Sequence, residues 1–444
     1  MKVTRQPFDP GPAAWLEILP AASAPTPLEG KQTADVVVIG AGFAGLTAAR
    51  RLNQLEPKAK IIVLEARRVA EGPAGRNSGF MIDLPHNLAS KDYAGVSDTD
   101  AAQTAMNREA IAYAAQAAEE LAMSDEAFTI SGKINAAATE KGDKHNRDYA
   151  IHLSKLTEAH EMLDAAQMRA ISGSSYYRSG LFTPGTAMLQ PALYVRHLAR
   201  GLVESGVMLC ENSPVIEMRK SNQNWQIITP KGSLIAPRVV LATNGHAESF
   251  GHFQRRLMHI YLYASMTEAL SPESIAKLGG SERWGFTPAD PLGTTVRKIS
   301  GTGGTRIVVR NRFTWSPKRT VSPDKLNAIA PAHDRSFTER FPNLKDVKME
   351  YRWGGLLCLS WNTVPAFGEI DDGLFSACCQ NGLGTAMGTL SGKLIAEMMM
   401  GKSSNSLRAM LAYPKPKRLP PEPFASLGAE ATLRWGEFRA GREM

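Results

Sequence analysis

A glycine triplet, Gly40, Gly42 and Gly45, constrains this chain more than any other feature. It follows a β-branched run at 35–39, opens a stretch of helical spacing at 44–55, and precedes a second β-branched run at 60–64. That order predicts a βαβ unit with G-x-G-x-x-G at its first turn. Gly40 permits the tight turn, Gly42 lets the backbone approach a pyrophosphate, and Gly45 allows close packing of helix on strand. The helix start favours negative charge. Glu65 ends the second run twenty residues after Gly45, where a carboxylate accepts hydrogen bonds from an adenosine ribose. An acid there suits a free 2′-hydroxyl, so the unit fits FAD or NAD better than NADP.

At 444 residues the chain exceeds what one hydrophobic core usually serves, which predicts two domains. The expected class is α/β, with a discontinuous Rossmann-type domain and an inserted α+β substrate domain built on an antiparallel sheet. An irregular surface arm spans 1–31. The nucleotide domain takes 32–97, 188–250 and 350–402, the substrate domain 98–187 and 251–349, and a Pro-rich tail 403–444. Helices are expected at 98–121, 148–168, 190–204 and 385–400, and a further helical stretch ends at Phe341 before Pro342. Extended pieces are expected at 128–138, and short strands at 207–210, 215–218 and 239–243. Alternating runs at 255–267, 294–299 and 306–310 supply the antiparallel sheet.

The net charge of +8 raises the question of a polyanion partner, because concentrated basic surface binds nucleic acid by counterion release. Here the charge is scattered, and the one dense cluster, at 415–418, is broken by proline. No nucleic-acid partner is expected on that patterning. Cys210, Cys358, Cys378 and Cys379 form neither a CxxC pair nor a spaced framework, so they read as reduced thiols and no metal site is expected. The opening residues lack a signal-peptide pattern, and no stretch reaches the roughly 18 apolar residues of a membrane span. The expected location is the cytoplasm.

Two segments carry a resemblance: GPAGRNSG at 72–79 and RWGGLLCLSWNTVPAFG at 352–368. In position and spacing the chain resembles the FAD-dependent D-amino-acid oxidase superfamily, and within it the γ-glutamylputrescine oxidase-like amine oxidases. Trp15-Leu16-Glu17 is similar to that branch's N-terminal approach, and Thr267-Glu268 to a strand end of its substrate domain. The resemblance implies an FAD-binding domain whose first turn contributes Gly40, Gly42, Phe43 and Ala44, and whose second strand ends in Glu65, Ala66 and Arg67. It places Ala74, Gly75, Arg76, Asn77 and Ser78 beneath the pyrophosphate and flavin, and Val215 near the adenine, with Ala242 and Thr243 closing that side. Residues 379–385 match a Gly-x-x-Gly-His-Gly turn facing the flavin pyrimidine edge. Cys379 and Leu383 depart from it, while Gly382, Gly384 and Thr385 carry over. Sarcosine oxidases attach flavin through a cysteine on the segment matching 355–365, where this chain has Gly355. Noncovalent FAD is therefore expected, with Cys358 in the core or site wall and Trp353 and Trp361 as packing residues.

The implied reaction is oxidation of the C–N bond of a small primary or secondary amine to an imine, with dioxygen restoring the flavin. Two alternatives stand beside it: a flavin dehydrogenase acting on an amino acid or opine-like amine with an electron carrier, and a flavin-binding protein with a nucleic-acid partner. The substrate candidates are Arg76, Arg297 and Leu357. D-amino-acid oxidases carry an arginine at the position of Leu357 to grip the α-carboxylate. Lys298 and His259 read as solvated or hydrogen-bonded strand residues, and His86 as a residue near the entrance. The oligomeric state is left open.

Overall fold

The VVVI of Val36–Ile39 and the IIVL of Ile61–Leu64 are buried along their whole length, as the inner strands of a parallel sheet must be. The computed structural model describes residues 1–85 and 97–444, so His86 lies outside the described residues. The nucleotide sheet runs in the order Met208–Cys210, Ile61–Leu64, Val36–Ile39, Arg238–Leu241, Leu374–Cys378, Ala366–Asp371. All pairs are parallel except the closing hairpin. From Val36–Ile39 the chain builds first to one side and later to the other. That reversal opens a crevice at the strands' carboxyl ends, where ligands of such sheets bind. Helices Phe43–Leu55 and Ala386–Met399 cross above it in backbone contact, since a Cβ on Gly392 would stand 2.2 Å from the Ala44 carbonyl oxygen.

The second sheet has eight strands, ordered Met349–Ser360, Leu257–Thr267, Arg306–Trp315, Thr295–Ile299, Trp284–Pro288, Lys133–Ala137, Ser179–Thr183, Glu161–Leu163. It is antiparallel, as expected, apart from one parallel step between Trp284–Pro288 and Lys133–Ala137. Its outer face buries Ile134, Phe286, Val296, Ile307 and Val309 against Phe337 and Phe341 at the end of helix Asp324–Arg340. Its inner face turns Ala264, Met266, Val308 and Trp353 into the core shared with the nucleotide domain. Substrate-domain side chains are thus brought against the carboxyl-end crevice.

Four expectations need correction. The helix expected at 148–168 is two helices, Glu140–Lys155 and Ala165–Ser172, with strand Glu161–Leu163 between them. Thr157 breaks the first at φ +56°, and a capping box of Asp164 and Gln167 starts the second. The strand expected at 215–218 begins only at Glu217. Trp15 is fully buried in a one-turn helix, not lying on the surface, because its Nε1 donates to the Asn77 carbonyl and its ring packs edge-on to Trp353. The Pro-rich tail forms helices Asn405–Ala412 and Phe424–Ala440, and Ala429 and Leu433 pack onto Ile260, Phe313 and Trp315 of the substrate sheet. Among the described residues no helix is long and apolar enough to cross a membrane.

Candidate active site

Gly40 takes φ +105°, which side-chain-bearing residues rarely adopt, and a Cβ on it would stand 2.7 Å from the Ala242 carbonyl oxygen. Gly45 is equally constrained, because its Cβ would meet the Gly40 carbonyl oxygen at 1.8 Å. Gly42 differs: a Cβ there would meet only the Ala74 Cβ, at 3.4 Å, so the backbone faces open space. Helix Phe43–Leu55 begins here with no side chain capping it, which leaves its first N–H groups for a ligand.

Glu65 closes one end of this space. Its Oε2 accepts the Ala41 amide at 2.8 Å and its Oε1 the Arg67 amide at 3.1 Å. Burial raises its pKa, while those amides and the Arg67 charge pull it down. Each carboxylate oxygen keeps a lone pair for a ribose hydroxyl.

The 72–79 motif forms the floor. Asn77 locks the turn by donating to the Ala74 carbonyl at 2.6 Å and accepting the Gly79 amide at 2.8 Å. Ala74, Asn77 and Ser78 line the cavity, and Gly75 packs behind them, with no room for a Cβ beside the Ala70 carbonyl at 1.9 Å. Arg76, expected to reach flavin or substrate, does neither. Its Nε donates to the Glu71 carbonyl, Nη1 to Pro10 and Gly354, and Nη2 to Gly11, at 2.6 to 3.2 Å. Four carbonyls take four of its five N–H donors, so Arg76 is a latch holding the N-terminal arm and strand Met349–Ser360 to the motif. Gly355 lies behind that latch, its missing Cβ 3.3 Å from the Arg76 Cβ, and does not line the cavity.

Val215, Ala242 and Thr243 form the opposite wall, and Ala66, Arg67, Phe43 and Ala44 complete the adenosine side. The Thr243 hydroxyl is buried beside the Cys378 thiol. Above it Cys379, Asn381 and Gly382 take φ of +59°, +48° and +90°, and added Cβ atoms at Gly382 or Gly384 would meet nothing within 4 Å. This loop presents its backbone to the cavity at the start of helix Ala386–Met399. Thr385 anchors it on the Phe80 carbonyl at 2.6 Å, whereas Leu383 turns away into the core.

Sequence reasoning missed His246 and Gln6. His246 lines the cavity, and burial, aided by Arg319, lowers its pKa to about 3. Gln6 of the arm lines it as well and donates to the Val215 carbonyl at 2.9 Å. A lone histidine after a strand end and a glutamine in a Pro-rich arm carry no motif to find them by. Cys358 is a buried core thiol. His259 is buried on Glu248, which also pairs with Arg319. Trp353 donates to the Arg76 carbonyl, and Trp361 is exposed.

Leu357 lines the cavity and packs with Ile260, Phe313 and Trp315. Arg297, expected at the same site, stands on the far side of the floor. Its Nη1 binds the Ser78 and Leu189 carbonyls at 2.8 and 2.7 Å, and it lines a different cavity.

Two uncapped helix starts, a carboxylate placed for a ribose and an open glycine cradle fit a dinucleotide, and the loop at 379–385 adds donors where an electron-rich ring would sit. Fold and cavity define a dinucleotide-dependent oxidoreductase whose second sheet covers the reacting end. A sequence model of the DAO family, FAD dependent oxidoreductase, matches residues 35–398, and the chain belongs to that family. Its cofactor is FAD. The probable oxidoreductase OrdL of Haemophilus influenzae is 28% identical over 392 residues, 84% of this chain and 85% of that protein. The γ-glutamylputrescine oxidoreductase of Escherichia coli is 24% identical over 411 residues, 89% and 91% respectively. The glycine oxidase from Geobacillus kaustophilus superposes with a TM-score of 0.70 at 17% identity, covering 88% of this chain and all of that one.

Proposed function

We propose that this protein oxidises the C–N bond of a small primary or secondary amine that bears no carboxylate on its α-carbon, giving an imine that water hydrolyses. The observation that carries this is Leu357, an apolar residue facing the cofactor cavity within a cluster of Ile260, Phe313 and Trp315. A carboxylate set against such a wall would lose its hydration without gaining a partner, at a cost of several kcal/mol. An aminoalkyl chain is accommodated by the same surface. Arg76 offers no substitute clamp, because four backbone carbonyls hold its guanidinium. The relative that acts on γ-glutamylputrescine supports an amine over a simple amino acid.

FAD, held noncovalently by the Gly40 to Gly45 turn, Glu65 and the 379–385 loop, would supply the two-electron acceptor, with dioxygen as its oxidant. The chain's own part is to bind, orient and dry the substrate. Leu357 and its neighbours exclude water, and an apolar wall favours the neutral amine, the form able to react. His246 stays neutral through the working range and leaves that preference unchanged.

The test is anaerobic flavin bleaching with putrescine, γ-glutamylputrescine and N-alkylamines against glycine, sarcosine and D-alanine, followed by oxygen uptake. Faster bleaching by the α-amino acids than by every simple amine refutes the reading. Leu357→Arg should move preference toward the α-amino acids.

A further inference from the structure

Behind the floor of the cofactor site lies a second cavity of about 750 Å³, entirely separate in its walls apart from the partition itself. Arg297 forms that partition. From one side it binds the carbonyl of Ser78, a residue of the cofactor cavity, and from the other it lines the second cavity. The residue is 7% exposed, yet among the described residues no carboxylate comes within ion-pair distance of it. It rests between the rings of Trp15 and Phe80, 5.3 and 5.5 Å from their centroids, and its Nε is buried with no hydrogen-bond partner. Burial alone pulls its pKa down to about 9, as befits a cation that lacks a counter-ion.

A second buried cation shares this lining. Gly285 pairs with Arg297, and the next residue, Phe286, pairs with Ile134, so Lys133, Gly285 and Arg297 stand in one row across three strands. Lys133 is 3% exposed, and its amine is held by Asn135 and Thr287. Asp83, itself paired with Arg108, is the acid that acts on it from a distance. Four acids line the cavity: Asp125, Glu161 and Glu282 are exposed, as is one cation, Arg283, while the half-buried Glu126 accepts the Thr302 amide and hydroxyl. Lys298, also in the lining, donates to the Gly279 carbonyl. The charge is therefore layered, with buried cations that lack an ion-pair partner inside, three exposed carboxylates toward solvent, and the fourth, Glu126, engaged by Thr302.

We infer that this cavity is a second ligand site, built for a small ω-amino carboxylate whose carboxylate seats on Arg297 and whose ammonium group faces the acidic mouth. A carboxylate in this cavity would supply the counter-ion that Arg297 lacks, a charge-assisted contact of the stronger kind. Because Arg297 also holds the Ser78 carbonyl, the ligand would be felt through the segment that lines the cofactor cavity. The site needs no turnover to fill, and its occupancy does not depend on which amine is oxidised.

The test is calorimetric titration of the FAD-loaded protein with 6-aminohexanoate, using hexylamine and hexanoate as controls that each lack one charged end. Saturable binding of one 6-aminohexanoate per chain is expected, tighter than hexanoate, with none for hexylamine. Arg297→Gln should weaken it roughly tenfold or more, the effect of losing one hydrogen bond to a charged group. Ser131→Trp fills the mouth from an exposed lining position without touching Arg297, and should abolish binding while flavin content stays normal; it keeps the test open should Arg297→Gln fold poorly. Absence of saturable binding, equal binding of hexanoate, or a titration removed by Leu357→Arg and spared by Ser131→Trp overturns the inference.

Discussion

The Glu65 carboxylate and the Ala41 amide, 2.8 Å apart, tie the acid that follows one strand to the glycine turn that follows its neighbour. The same carboxylate accepts the Arg67 amide at 3.1 Å, so both of its oxygens are aimed by backbone before any ribose arrives. Glu65→Gln would set an amide N–H₂ against one of those N–H groups and remove an acceptor from the ribose. Flavin Kd should rise about 10- to 100-fold, the range of one or two kcal/mol-scale charged hydrogen bonds. Recovery of flavin fluorescence on dilution measures it, and an unchanged Kd removes Glu65 from the ribose site.

Gly42 and Gly45 belong to one motif but should fail in different ways. Gly42→Val places methyl groups where the backbone faces open space, 3.4 Å from Ala74, and should give folded protein without flavin. Gly45→Ala puts a Cβ 1.8 Å from a backbone carbonyl and should lower the melting temperature itself. The ratio of absorbance near 450 nm to protein, read beside a circular-dichroism melt, separates the two; a flavin-replete Gly42→Val contradicts the assignment.

The rate should depend on pH through the substrate. If the neutral amine reacts, kcat/KM rises from neutral pH toward the amine pKa, about 10 for a free alkylamine, and then levels off. His246 adds no limb near neutrality, because its pKa lies at about 3. A flat or falling profile would speak for an alcohol or hydroxy acid.

Stability should fall in acid for a reason lodged in His333. Burial lowers its pKa from 6.5 to about 4, and it is held by Ser265 and the Asn311 carbonyl. Below about 6.5 the unfolded chain takes a proton there that the folded one refuses. The stability this neutral imidazole confers is thus complete above that value and is lost as pH falls toward 4. Glu65 and Glu443, with raised pKa values, act in the opposite sense. Comparing melting temperatures of wild type and His333→Gln from pH 7 to 4 isolates the histidine. Parallel curves for the two proteins exclude it as the source.

Glu443 is 3% exposed and accepts the Ala138 and Thr139 amides and the Thr139 hydroxyl at 2.8 to 3.0 Å, capping helix Glu140–Lys155 from outside. Glu443→Ala leaves one buried and two half-buried donors unmet and should cost about 2–4 kcal/mol. Urea denaturation should show an earlier midpoint at constant slope, with flavin still bound at low urea; an unmoved midpoint makes the contact incidental.

What the sequence made legible was what periodicity and turn chemistry encode. The runs around Val36 and Ile61, the glycines between them and Glu65 define the nucleotide unit, and the alternating runs define the second sheet. Side-chain direction was not encoded. Arg76 sits inside a binding motif, yet its guanidinium points into the arm, and Arg297 shares a strand face with the site yet stands behind its floor. Trp15 lacks any periodic neighbour to betray its burial. The break at 156–164 did have a signal, the Asp164 and Gln167 capping box, hidden by helical composition on both sides. The prolines at 414–423 disguised the apolar spacing of Ala429 and Leu433.

Val37 has Ile62 on one side and Val239 on the other, and Val239 in turn lies beside Leu374. Neighbours in the sheet are thus far apart along the chain. During synthesis the first strand pair can form early, but its exposed edge must wait while the first part of the substrate domain is made before Arg238–Leu241 arrives, and longer still for Leu374–Cys378. An open parallel edge is a sticky, slow-closing intermediate. The arrangement that creates the cofactor crevice therefore also lengthens the time for which a parallel edge stays open during synthesis.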